Sequence, residues 1–237
     1  MHGLQWERMA TLVLLHAFPF SGAMYREDVA ALSPHMRVLT PTMRGTSIDG
    51  MADAVAASLD REGVREPVVV GGISMGGYVS LAFARRHADR LRGLVLADTR
   101  AQPDSDEGRA SRDAGIARVR GGDYGGFVEG MLDKLVLPEQ REATRALAMQ
   151  QAPADVVDAL HALRDRPDAR PGLSAIRVPT LVLVGDRDAI TPRSDAEAMR
   201  AAIPNAELVV IEEAAHLTNL DRPAAFREAI ASFVSRL

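Results

Sequence analysis

The sequence predicts an α/β fold: a mostly parallel sheet of about six strands with helices on both faces. Three observations carry this expectation. Short apolar runs alternate with helix-like stretches along the chain. Val, Leu and Ile dominate the runs without polar alternation, the pattern of strands buried on both faces. A length of 237 residues, 47% hydrophobic and 25% charged, suits one globular domain with a sizeable core and a possible inserted subdomain.

In chain order the strands are expected at Thr11–Leu15, Arg37–Thr40, Val68–Gly71, Gly93–Ala97, Thr180–Val184 and Glu207–Ile211. Between the second and third, Gly50–Gly63 places Met51, Val55 and Leu59 at four-residue steps, an amphipathic helix closed by glycine. Met75–His87 follows the third strand as a helix with small residues in its first turn. Asp195–Ala202 and Pro223–Arg236 complete the set, the last with Phe226, Ile230 and Phe233 on one face and a first-turn proline.

Residues 101–172 break the rhythm, with helix-like stretches and no convincing strand. Asp104 and Glu107 have capping-box spacing, and Pro138 and Pro153 suit the first turns of helices over Glu139–Gln151 and Ala154–Arg164. Four glycines from Gly121 to Gly126 are expected to loosen the segment between the first two helices. The division is therefore a core of residues 1–100 and 173–237 with a helical insert over 101–172.

Composition excludes several function classes. With no cysteine there is no disulfide framework, thiol nucleophile or iron–sulfur cluster. A net charge of −4 gives no electrostatic footprint for nucleic acid or an anionic membrane. Lys134 is the only lysine, and no phosphate-loop motif surrounds it. The apolar stretch Ala10–Phe20 is too short to span a bilayer and is broken by His16 and Pro19, so no membrane segment is expected and the location is read as cytoplasmic. No H-E-x-x-H pattern or paired histidine implies a metal, and no cofactor is expected.

The strongest local signal is Gly72-Ile73-Ser74-Met75-Gly76, between a strand and a helix. This is the nucleophile-elbow pattern: a serine on a very tight turn has a strained backbone, and glycine on either side leaves room for the neighbouring chain. At the helix N-terminus, backbone N–H groups favour developing negative charge. A serine hydroxyl needs a base, and the base needs an acid to hold its tautomer. His216, in the loop after the last strand, is the candidate base. His2, His35, His87 and His161 sit in terminal, loop or helix settings that suit solvated residues. Two aspartates, Asp186 and Asp188, compete for the acid in the turn after Leu181–Val184. Their place between Ser74 and His216 matches the chain order Ser, Asp, His.

On these motifs the chain resembles the α/β-hydrolase superfamily, in its small cofactor-free esterase, enol-lactonase and perhydrolase-like branch. The resemblance covers nearly the whole chain and is weakest over residues 101–172. It implies Asp188 as the acid, the aspartate ending a G-x-x-D turn, with Asp186 as turn former. Leu15-His16-Ala17-Phe18-Pro19 is similar to the family's H-G-x-P loop and implies an oxyanion hole of the Phe18 and Met75 backbone N–H groups. Ala17 replaces the usual glycine, and Thr42-Met43-Arg44-Gly45-Thr46 departs from the family's D-x-R-G-x-G turn. The family commonly has eight strands; only about ten residues precede Thr11, so about six are expected here.

The resemblance also implies a function: cleavage of small to medium carboxylic esters through an acyl-enzyme, with residues 101–172 as a cap. Phe127, Met131, Leu135 and Met149 are the candidate pocket residues. The same triad serves lactonases, perhydrolases and carbon–carbon bond hydrolases, and a slow-turnover ligand receptor can retain it too. Haloalkane dehalogenation is disfavoured, because it needs a carboxylate where Ser74 stands. The partner expected is a small-molecule ester or lactone.

Overall fold

The computed structural model describes residues 10–237. His2 lies outside the described residues, as do the rest of residues 1–9. Six strands form one all-parallel sheet: β1 (Thr11–Leu15), β2 (Arg37–Leu39), β3 (Val68–Ile73), β4 (Leu91–Ala97), β5 (Thr180–Gly185) and β6 (Ala206–Ile211). Their spatial order is β2-β1-β3-β4-β5-β6. Every residue of β1, β3 and β5 is buried, as their unbroken apolar sequences require, whereas the edge strands β2 and β6 are mostly half-buried.

Helices α1 (Arg26–Leu32), α2 (Ile48–Arg61), α3 (Met75–Arg86), α9 (Arg193–Ala202), α10 (Thr218–Asp221) and α11 (Pro223–Ser235) belong to the strand-bearing part. Between β4 and β5 the regular elements are all helical: α4 (Asp106–Arg120), α5 (Tyr124–Glu129), α6 (Leu132–Leu135), α7 (Arg141–Ala148) and α8 (Pro153–Arg164), with short 3-10 turns.

Three expectations need correction here. Ser105, not Asp104, caps α4, its hydroxyl accepting from the Gly108 amide. Asp104 is instead buried among arginines, a more favourable setting for its charge than a solvated cap. The glycines from 121 to 126 do not prevent a helix, because the Asp123 carboxylate accepts from the Gly126 amide and starts α5. The helix expected from Glu139 to Gln151 is split into a 3-10 turn at Pro138–Gln140 and the shorter α7.

The chain leaves β1 towards β2 and leaves β3 towards β4, so connections depart in opposite directions from two adjacent strands. In open parallel sheets that reversal makes a crevice at the strands' carboxyl ends. Phe18 follows β1 and Ser74 follows β3, which puts both on that crevice.

Candidate active site

Ser74 forms the turn between β3 and α3 with φ 55° and ψ −111°, strained for any residue but glycine. The surroundings hold it there. Its amide donates to the Ala97 carbonyl at 3.0 Å, and its carbonyl accepts from the Gly77 amide at 2.9 Å and the Thr99 hydroxyl at 2.9 Å. The glycines of the motif are steric necessities: a Cβ on Gly72 would lie 2.6 Å from the Leu15 carbonyl oxygen, and one on Gly76 only 2.0 Å from it. The turn is thus pressed against the end of β1. The Ser74 hydroxyl does not cap the helix and the residue is only partly buried.

His216, in the loop after β6, is 1% exposed. Its Nδ1 donates to Asp188 Oδ2 at 2.8 Å, which leaves Nε2 as the acceptor nitrogen of the neutral ring. Asp188 is itself held tightly: Oδ1 accepts from the Ile190 and Thr191 amides at 2.8 and 2.9 Å, and Oδ2 from the Thr191 hydroxyl at 2.6 Å. Burial pushes this carboxyl up, but the imidazole and the Thr191 donors outweigh burial and keep it below the ordinary aspartate range. Asp186 is exposed and accepts from the Ala214 amide, so of the two aspartates Asp188 meets the histidine. No hydrogen bond joins the Ser74 hydroxyl to His216 among the described residues.

The Phe18 and Met75 amides are candidates for an oxyanion hole. Both residues are buried, and neither amide donates to a protein acceptor among the described residues. Ala17 keeps a negative φ, so alanine is unstrained in place of glycine. His16 is buried and accepts from the Met43 amide at Nε2, 2.9 Å, while its Nδ1 donates to the Ala17 carbonyl at 3.1 Å. Burial pulls its pKa down to about 4, so the ring stays neutral and ties the 42–46 turn to the Phe18 loop.

Three polar residues that the sequence does not single out organise the site. Asp98, fully buried at the end of β4 with φ 44°, accepts from the Gly185 amide at 3.0 Å with Oδ1 and from the Thr218 hydroxyl at 2.7 Å with Oδ2. It therefore joins the loop of Asp188 to the loop of His216. Burial and the nearby Asp188 charge push its carboxyl well above the usual range. Asp221 accepts from the Ala215 amide and, with its other oxygen, from Leu137 of the helical insert. Thr191, described above, is the third. The Leu217 amide adds a bond to the Leu135 carbonyl, so the insert grips the histidine loop on both sides of His216.

Phe127, Met131 and Leu135 line a common cavity of about 380 Å³ with Leu160 and Ile190; none of Ser74, His216, Asp188, Phe18 or Met75 lines it, and its link to the serine turn is the Phe127 ring, edge-on to Phe18 at 6.2 Å. Met149 does not join them. It caps the end of α7 and is 39% exposed.

The fold and this crevice define an α/β hydrolase. The model of the alpha/beta hydrolase family matches residues 12–229, and the chain belongs to that family. A pimeloyl-[acyl-carrier protein] methyl ester esterase of Neisseria meningitidis is 34% identical over 207 residues, covering 82% of this chain and 78% of the relative. A 3-oxoadipate enol-lactonase of Acinetobacter baylyi is 26% identical, covering 98% and 91%. Among solved structures, a thermophilic esterase from Thermogutta terrifontis superposes with a TM-score of 0.92 at 35% identity, over 96% of this chain and 90% of that one. Among the described residues no helix is long and apolar enough to cross a membrane.

Proposed function

We propose that the protein hydrolyses carboxylic esters through an acyl-enzyme, with Ser74 as nucleophile, His216 as general base and Asp188 as its orienting acid. Ser74 Oγ attacks the carbonyl carbon while its proton passes to His216 Nε2. The resulting oxyanion takes hydrogen bonds from the Phe18 and Met75 amides. Collapse of the tetrahedral intermediate breaks the bond to the alcohol oxygen, and His216 returns the proton to that oxygen. Water then adds to the acyl carbon by the same route, releasing the acid and restoring Ser74.

The observation that carries this reading is the hydrogen-bonded chain Thr191–Asp188–His216 together with a strained serine turn, at the carboxyl ends of β5, β6 and β3 of one parallel sheet. The Neisseria and Acinetobacter relatives support it, since a methyl ester and an enol-lactone both offer a carbonyl carbon bonded to an oxygen leaving group. Residues 101–172 act as the cap in this reading, with Phe127, Met131 and Leu135 facing the acyl or lactone part of the substrate. The test is a panel of p-nitrophenyl esters of graded chain length beside lactones, for the parent and Ser74→Ala. Removing Ser74 should lower kcat by about 10⁴–10⁶ and abolish labelling by a serine-directed phosphonate. Labelling that survives Ser74→Ala excludes the assignment. Single-turnover binding without release points instead to a ligand receptor.

A further inference from the structure

A separate cavity of about 350 Å³ opens between α3 and the segment of residues 166–176 that leads back to β5, and none of Ser74, His216, Asp188, Phe18 or Met75 lines it. That volume lies within the range of small-molecule sites. Its apolar walls include Ile48, Leu81, Leu173 and Ile176, and three arginines, Arg85, Arg100 and Arg166, line it as well.

The charges around Arg100 and Arg166 are unbalanced. Among the described residues, Asp104 is the one carboxylate for three guanidinium groups: Arg166 at 2.7 Å, Arg112 at 3.1 Å and Arg100 at 3.3 Å. The other charged wall residues are already paired, Arg85 with Asp49 and Asp168 with Arg170. Arg166 is 5% exposed and stacks on the Tyr78 ring at 4.4 Å. Among the described residues, its Nε and that of Arg100 are buried without a hydrogen-bond partner. A buried N–H left unpaired is unfavourable, and guanidinium groups match carboxylates as paired donors. Arg100 keeps a quarter of its side chain exposed, so a ligand can reach it.

We infer that this cavity is a second binding site, for an amphiphilic carboxylate of medium chain length. The head group meets Arg100, with the excess positive charge of the Arg100–Arg166 pair behind it, and the alkyl tail lies against Ile48, Leu81 and Leu173. This assignment does not depend on the proposed activity, because no residue of that site takes part.

Calorimetric titration of the full chain with decanoate tests it, using protein whose Ser74 has been capped by a phosphonate, and Ser74→Ala in parallel. One-to-one binding should persist in both. Arg100→Gln should weaken it by about tenfold, and decan-1-ol should bind at least about tenfold less tightly than decanoate. Ala84→Phe, which fills the wall at a half-buried position, should abolish it. Arg100→Lys keeps the charge for Asp104 and should fall between the parent and Arg100→Gln, so the series remains readable if the glutamine variant folds poorly. The inference fails if decanoate shows no binding up to its solubility limit, or if capping Ser74 removes binding. It fails equally if decan-1-ol binds as well, or if the Arg100 and Ala84 variants bind like the parent.

Discussion

Substitution of Gly76 by alanine gives the sharpest test of how the serine turn is held. The added Cβ would stand 2.0 Å from the Leu15 carbonyl oxygen, 2.6 Å from its carbonyl carbon and 3.1 Å from the His16 oxygen. Relief requires a separation of at least 3.0 Å from that oxygen, a displacement on the order of 1 Å of one backbone relative to the other. No flexible side chain can yield, since Leu15 is paired with Gly72 of β3. Overpacking of this kind costs about 1–3 kcal/mol, or roughly 2–12 °C in Tm for a chain of this size. The same displacement moves the Phe18 loop relative to Ser74, and a misplacement of about 1 Å lowers turnover by about 10²-fold. The assay is thermal unfolding by circular dichroism together with kcat/KM on p-nitrophenyl butyrate. Gly125→Ala is the internal control: a Cβ there meets nothing within 4 Å, and helix α5 gains up to about 1 kcal/mol from the better helix former, raising Tm by roughly 2–4 °C. A Gly76→Ala protein as stable and as active as the parent would refute the steric reasoning.

Two further predictions concern the buried carboxylates. Asp98→Asn keeps an oxygen for the Gly185 amide but sets an NH2 group against the Thr218 amide, which donates to Oδ2 in the parent; kcat should fall by about 10–100-fold with KM little changed, and an unaltered kcat would remove the positioning role of Asp98. Thr191→Val deletes the hydroxyl donor to Asp188 and should lower stability at neutral pH by about 1.5–3 kcal/mol. Asp188 has its pKa depressed by folding, so its contribution is full above the unfolded value and is lost as pH falls through the folded one. The stability gap between Thr191→Val and the parent should therefore close below about pH 3.8, measured by denaturant titration across pH; a gap that persists at lower pH contradicts the linkage.

The fold was largely legible because each strand is a short, uninterrupted apolar run. Thr11–Leu15 needs no adjustment, and β3 and β5 extend by only a residue or two because glycine ends the runs. Helix α1 escaped notice: it has only seven residues and no side-chain cap, its four apolar residues are consecutive and so show no helical spacing, and it packs against α11. Ser74 and His216 were visible because the elbow motif and the loop after the last strand are local signals. Choosing Asp188 over Asp186 was not a matter of local pattern. Both occupy the same turn, and family resemblance or the fold is needed to tell them apart. Asp98 was out of reach for the opposite reason: a carboxylate after an apolar strand looks like a turn former, and its partners Gly185 and Thr218 lie 87 and 120 residues away.

The grip of the helical insert on the histidine loop limits how this chain can be recombined. Leu135 and Leu137 reach His216's neighbours through main-chain atoms, so what they supply is a position in space and not a side chain. A chimera that imports another relative's insert can change every residue of α4 to α8 and keep His216 in place, provided the backbone at Leu135–Leu137 is reproduced. If a splice alters the path there, the imidazole loses its anchorage even though Ser74, Asp188 and His216 are all retained.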